Sequence, residues 1–203
     1  MSSLPMIHVR PAAPAPGKLP LIRLDETNWF ADAVGSFVRG ACYLLGGAPG
    51  SRKSGLVTQL EVDLALAGQR GLILPAEEPA DRVWERVGRM TGGGELLDRV
   101  AQHLIVERNP PSVQQLPNYV ATQVLSPNGD YHGITLMVID SVQGHGLASA
   151  ATKTYDRVLE ATRLLSAAGV TSLLVNQLTK RNELAGPRML EHGVDCVQVL
   201  RKT

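Results

Sequence analysis

Residues Gly46 to Gly55 read GGAPGSRKSG, one substitution away from a phosphate-binding loop. Such a loop runs Gly, four residues of any kind, then Gly-Lys-Ser or Gly-Lys-Thr. Gly47, Lys53 and Ser54 are in register, and Arg52 stands where the second glycine belongs. Upstream lies the apolar run ACYLLGG. Downstream, residues 53–67 carry a helical pattern that stops at Gly68, a residue suited to the left-handed turn after a helix. Strand, loop and helix thus follow in the order a phosphate loop requires.

A triphosphate packs several negative charges into a small volume, so its site needs backbone N–H groups converging at a helix N-terminus, a flexible cation and a hydroxyl for Mg²⁺. The stretch Gly47, Ala48, Pro49, Gly50, Ser51, Arg52, Lys53, Ser54 offers all of these for ATP. Lys53 is placed to reach the β- and γ-phosphates and Ser54 to ligate Mg²⁺. The glycines let the backbone curl around the anion. The competing account is a glycine-rich turn between a strand and a helix, and the loop alone does not separate the two.

The remaining chain alternates short apolar runs with helical patterns. GLILPAEEP is a strand whose end carries Glu77 and Glu78, and Pro79 opens a helix through Met90 with Val83, Val87 and Met90 on one face. TGGGELLDRV reads as a loop, HLIVE as a short strand, and residues 116–125 as a modest helix. ITLMVIDS is a buried strand ending at Asp140. A small-residue loop, a helix over 154–168 and the strand TSLLVNQ follow, then the basic loop TKRNELAGPRML and a last strand, VDCVQVLRK. The pattern predicts an α/β fold, a mainly parallel central sheet with helices on both faces. Residues 1–20, rich in Pro and Ala, read as an extended tail, and 21–203 as one domain.

Composition fits a single soluble domain. The 44% hydrophobic content suffices for one core at 203 residues. A formal charge of +1 leaves nucleic-acid contact to local clusters. Cys42 and Cys196 lie far apart in apolar runs and read as reduced buried thiols, which suits a cytoplasmic protein. No run approaches the ~18 apolar residues of a membrane span.

Asp140 ends a buried strand some 90 residues after the loop, where an aspartate holds Mg²⁺ beside the phosphates. Glu77, at another strand end, suits a catalytic base or a group that positions the attacking water; the same acids also suit the positive end of the helix that follows. His132, His145 and His192 lack ligand spacing.

With these segments in hand, the chain resembles the RadA/Sms group of DNA-repair ATPases, within the RecA-like P-loop NTPase class that includes KaiC and the replicative helicases. The carriers are GGAPGSRKS, LPAEEPADRV, LMVIDSVQ, LTK and above all AGPRMLEHGVDCVQVL. The resemblance implies a RecA-type sheet, ATP and Mg²⁺ binding, and assembly into a homo-oligomeric ring or with a partner ATPase. It also implies that loops after Asp140 and Gln177 face single-stranded DNA. By position it makes Glu77 the activating glutamate, Asp140 the magnesium aspartate and Gln177 the γ-phosphate sensor. Lys180, Arg181 and Arg188 become DNA-backbone contacts, and the region of Arg86 and Arg89 borders the adenine, with either arginine placed to stack there.

Three departures qualify that expectation. No paired CxxC zinc module is present. The family's Lys-Asn-Arg-Phe-Gly segment and Lon-like domain would follow the closing strand, where this chain ends at Thr203, so the expected trans-acting finger is missing. Arg52 at a position that demands positive φ costs about 1–2 kcal/mol. Micromolar ATP binding is worth roughly 8 kcal/mol, so weakened binding, by about tenfold, and slow hydrolysis are expected. The alternative is a non-hydrolysing regulatory or scaffold module of the same fold that binds a protein partner.

Overall fold

The computed structural model describes residues 21–22, 37–145, 152–178 and 188–200. The 1–20 segment read as a tail lies outside these residues. Two short strands, β1 (Leu21–Ile22) and β2 (Phe37–Val38), pair antiparallel as a small separate ribbon, which no sequence pattern announced. The main chain path then runs β3 (Cys42–Gly47), α1 (Lys53–Leu66), β4 (Gly71–Pro75), α2 (Ala80–Thr91), α3 (Gly94–Ala101) and β5 (Leu104–Val106). It continues through α4 (Leu116–Tyr119), β6 (Leu136–Asp140), α5 (Thr152–Ala167), β7 (Thr171–Gln177), α6 (Arg188–His192) and β8 (Cys196–Leu200).

The six long-sheet strands lie in the order β5-β4-β6-β7-β3-β8, and every pairing is parallel. β3, β4 and nearly all of β6 and β7 are buried along their length. This is why they read as continuous apolar runs rather than alternating ones. Helices cover both faces. On one, Val57, Leu60 and Leu64 of α1 pack with Val83 and Val87 of α2 and Val100 of α3. On the other, Leu116 of α4 and Val158, Leu159 and Leu165 of α5 pack over Leu44, Leu72, Met137 and Leu174. The expected α/β architecture is the observed one.

Two segments differ from expectation. Part of the stretch read as the loop TGGGELLDRV is the helix α3, with Leu97 and Val100 turned to the core. Gly92, Gly93 and Gly94 all take positive φ, so the chain breaks sharply after α2 and restarts as a helix of only eight residues, too short to show a period. Likewise the end of the basic loop, from Arg188, is the short helix α6. Around α4 the backbone passes from a 3₁₀ turn at Val113–Gln115, capped reciprocally by Ser112 and Gln115, to a π-type turn at Val120–Val124. Tyr119 and Tyr131 both donate to Glu107 Oε2, at 2.7 and 2.6 Å, fastening this segment to the end of β5.

Candidate nucleotide site

Four neighbouring strands, β4, β6, β7 and β3, bring their carboxyl ends together in nearly common register: Pro75 lies opposite Asp140, and Gly47 opposite Gln177. In an open parallel sheet this is the edge that receives ligands. The loop after β3, Glu77 after β4, Asp140 at the end of β6 and Gln177 at the end of β7 meet there. They line one cleft of about 440 Å³ with Pro49, Gly50, Arg52, Lys53, Ser54, Glu77, Arg86, Asp140, Ser141 and Gln177 among its walls.

The loop turns at Ser51, whose N–H donates to Ala48 O at 3.1 Å, with Gly50 at φ 72°. Arg52 then takes φ 64° and ψ 27° and caps α1 without a side-chain hydrogen bond. It is the one non-glycine residue with positive φ among those described, so the position does demand the left-handed conformation that glycine adopts without penalty. Lys53 is buried, its Nζ donating to Gly47 O at 2.7 Å and Ala48 O at 3.1 Å. Burial lowers its pKa, an effect opposed by the nearby carboxylates of Asp140 and Glu77.

The loop has the shape and chemistry of a phosphate cradle. A Cβ on Gly47 would sit 2.5 Å from Ser51 Oγ and 3.1 Å from Lys53 Cδ, so only glycine leaves this floor open. Ser51 Oγ is buried without a hydrogen-bond partner, a polar atom a phosphate oxygen would satisfy. The Ser54 hydroxyl bonds to Asp140, whose carboxyl is pushed up to about 6 by burial against that bond, with Glu78 and Glu77 adding to the rise and Arg86 opposing it. One hydroxyl and one carboxylate suit Mg²⁺, a hard cation that keeps several water ligands and shares phosphate oxygens. No cluster of three or more His, Cys, Asp or Glu side chains suited to a metal occurs among the described residues.

Glu77 is held from two strands. Its Oε1 accepts from the Ser141 hydroxyl and from Gln177 Nε2 at 2.8 Å. The three groups that sequence reading assigned to separate strand ends, Glu77, Asp140 and Gln177, are therefore brought together, with Ser141 as a member the sequence did not single out. Glu78 instead faces Arg86, which clamps both its oxygens at 2.5 and 2.6 Å and also donates to Thr58 Oγ1 at 2.8 Å. Arg86, placed beside the adenine by resemblance, is thus committed to a carboxylate and to α1. Because the pair is mostly enclosed, Arg86→Met is expected to lower stability by about 1–3 kcal/mol, measured by urea unfolding at pH 7. Of the DNA-contact candidates, Lys180 and Arg181 lie outside the described residues, and Arg188 begins α6.

A family model described as "ATPase: KaiC" matches residues 23–203. The DNA repair protein RadA of Chlamydia pneumoniae is 31% identical over 182 residues, 87% of this chain and 36% of that protein. RadA of Listeria monocytogenes is 30% identical over 169 residues, 80% of this chain and 33% of the relative. The chain therefore spans about a third of the length of the curated relatives it matches. The crystal structure of a KaiC-like protein from the archaeon Pyrococcus horikoshii OT3 superposes with a TM-score of 0.63 at 22% identity, covering 81% of this chain and 73% of that one. That likeness is one of fold. No helix among the described residues is long and apolar enough to cross a membrane.

Proposed function

We propose, starting from the fact that the chain belongs to the KaiC family of ATPases, that it binds Mg-ATP at the Gly47–Ser54 loop, hydrolyses it slowly and uses it to control contact with DNA. The observation that carries this reading is the convergence of the loop, Glu77, Asp140 and Gln177 on one cleft at four adjacent strand ends.

The loop's backbone N–H groups and Lys53 hold the phosphates, Lys53 exchanging its two carbonyl partners for phosphate oxygens. Ser54 and Asp140 are the residues that would hold Mg²⁺. Its contribution when bound is to neutralise charge on the β- and γ-phosphate oxygens. Glu77 directs Oε1 to Ser141 and Gln177, which leaves Oε2 to orient a water and take its proton. Gln177, through the same carboxylate, reports occupancy of the cleft to the chain that follows it, where Lys180, Arg181 and Arg188 supply cations for a single-stranded phosphate backbone. Slow turnover is expected from Arg52, because a side-chain-bearing residue held at φ 64° strains the turn that has to align the reacting groups within a fraction of an ångström. By analogy with the RadA relatives, the work served is DNA repair or recombination, carried out as a ring.

Calorimetric titration with Mg-ATP tests the reading. Wild type is expected to bind in the micromolar range and Lys53→Ala about 10–100-fold more weakly, since a charge-assisted contact to phosphate is lost. Equal affinity in both proteins, or no binding by either of them or by Arg52→Gly, sinks the nucleotide-site reading and favours a scaffold that binds a protein partner.

A further inference from the structure

Three cations line or adjoin the cleft, and two of them are already answered by charge. Arg86 is clamped to Glu78, and Lys53 faces the carboxylates of Asp140 and Glu77. Arg52 is exposed and lines the same cleft, and its guanidinium has no hydrogen bond or ion pair to another described residue, the backbone carbonyl alone accepting from Leu56 N–H at 3.0 Å. Arg52, Lys53 and Arg86 together only balance Glu77, Glu78 and Asp140. Without Arg52 the site would be net negative before any phosphate arrived, and an anionic ligand would meet repulsion.

The backbone adds a second observation. Arg52 is held at φ 64° where glycine would stand without strain, a cost of about 1–2 kcal/mol for a side-chain-bearing residue. A guanidinium presents a planar fork of donors that matches phosphate oxygens and keeps its charge at any working pH. It stands at the exposed lip of the loop, one residue before Lys53, and faces the same cleft.

We propose that Arg52 is a phosphate-contacting residue that grips the terminal phosphoryl group of a nucleoside triphosphate, making the loop selective for triphosphate over diphosphate. This rests on the reading that the cleft binds nucleotide.

The test compares ATP and ADP, each with Mg²⁺, by calorimetry on wild type, Arg52→Gln, Arg52→Lys and Arg52→Gly, with thermal unfolding to confirm that each variant folds. In Arg52→Gln, ATP affinity is expected to fall about tenfold while ADP affinity changes less than about twofold, and Arg52→Lys is expected to recover part of the ATP preference. Raising salt should weaken ATP binding more in wild type than in Arg52→Gln. An unchanged ATP-to-ADP ratio in Arg52→Gln, or tighter binding of both nucleotides, overturns the proposal and marks the side chain as a steric obstacle. If Arg52→Gly binds nucleotide and wild type does not, the nucleotide-site reading stands and the proposal fails. If no protein in the set binds either nucleotide, the underlying reading fails with it.

Discussion

Glu61→Gln is expected to be about 3 kcal/mol more stable than wild type at pH 7 and no more stable at pH 4.5. Glu61 lies on α1 with no exposed surface, and neither carboxyl oxygen has a hydrogen-bond partner. Burial pushes its pKa up to about 8, from an ordinary 4.5. In the folded protein the carboxyl therefore stays protonated up to that pH, whereas the unfolded chain releases the proton above 4.5. Between these values each rise in pH favours unfolding, at roughly 1.4 kcal/mol per pH unit, and the loss is complete near pH 8. Glutamine keeps the size and shape and removes the ionisation, so its stability should not follow this slope. Urea unfolding from pH 4.5 to 8.5 reads the difference directly. Parallel stability curves for the two proteins would show that Glu61 ionises freely in the fold. The carboxyl has room only because residue 71, at the start of β4, is glycine: a Cβ there would overlap Glu61 Oε2.

Glu77→Gln should release phosphate about 10²–10⁴-fold more slowly than wild type while binding Mg-ATP nearly as tightly. The amide oxygen still accepts from Ser141 and Gln177, so the local hydrogen bonds persist. What disappears is the second carboxylate oxygen as a proton acceptor. Single-turnover phosphate release, run alongside calorimetry on the same samples, separates the two effects. Undiminished release at unchanged affinity would reduce Glu77 to a bracket for Gln177. A matching loss of affinity would mean instead that the carboxylate supports the nucleotide and not the chemistry.

Much of this site was readable because it lies at the ends of buried parallel strands. Such strands print themselves as unbroken apolar runs, and the polar residue that stops each run, Asp140 or Gln177, marks the ligand edge. The loop stood out by its glycine spacing, and it stayed recognisable in spite of Arg52 because Lys53 and Ser54 follow directly. What stayed hidden depends on contacts remote in sequence. Arg86 meets Glu78 across a turn of chain and Thr58 across a helix packing, and nothing local assigns it to either. Ser141 looked like the residue after the aspartate until Glu77 came within reach. Glu61 did carry a signal: with Val57, Leu60 and Leu64 it occupies the inward stripe of α1, and an acid at that register is a polar group in an apolar place. The helix α3 was lost behind three glycines.

Gly47 O accepts from Lys53 Nζ at 2.7 Å and also from Leu178 N–H at 3.1 Å, just past the end of β7. A carbonyl oxygen has two lone pairs, and here one belongs to the sheet and the other to the lysine. When the ammonium swings to an anion, this oxygen keeps its sheet partner and is not stranded. Ala48 O, the lysine's other acceptor, lies in the half-buried rim, where solvent can take over. On the proposed function the lysine is thus on loan to the scaffold: it fills an otherwise polar hollow and would depart without unzipping the strands beneath it.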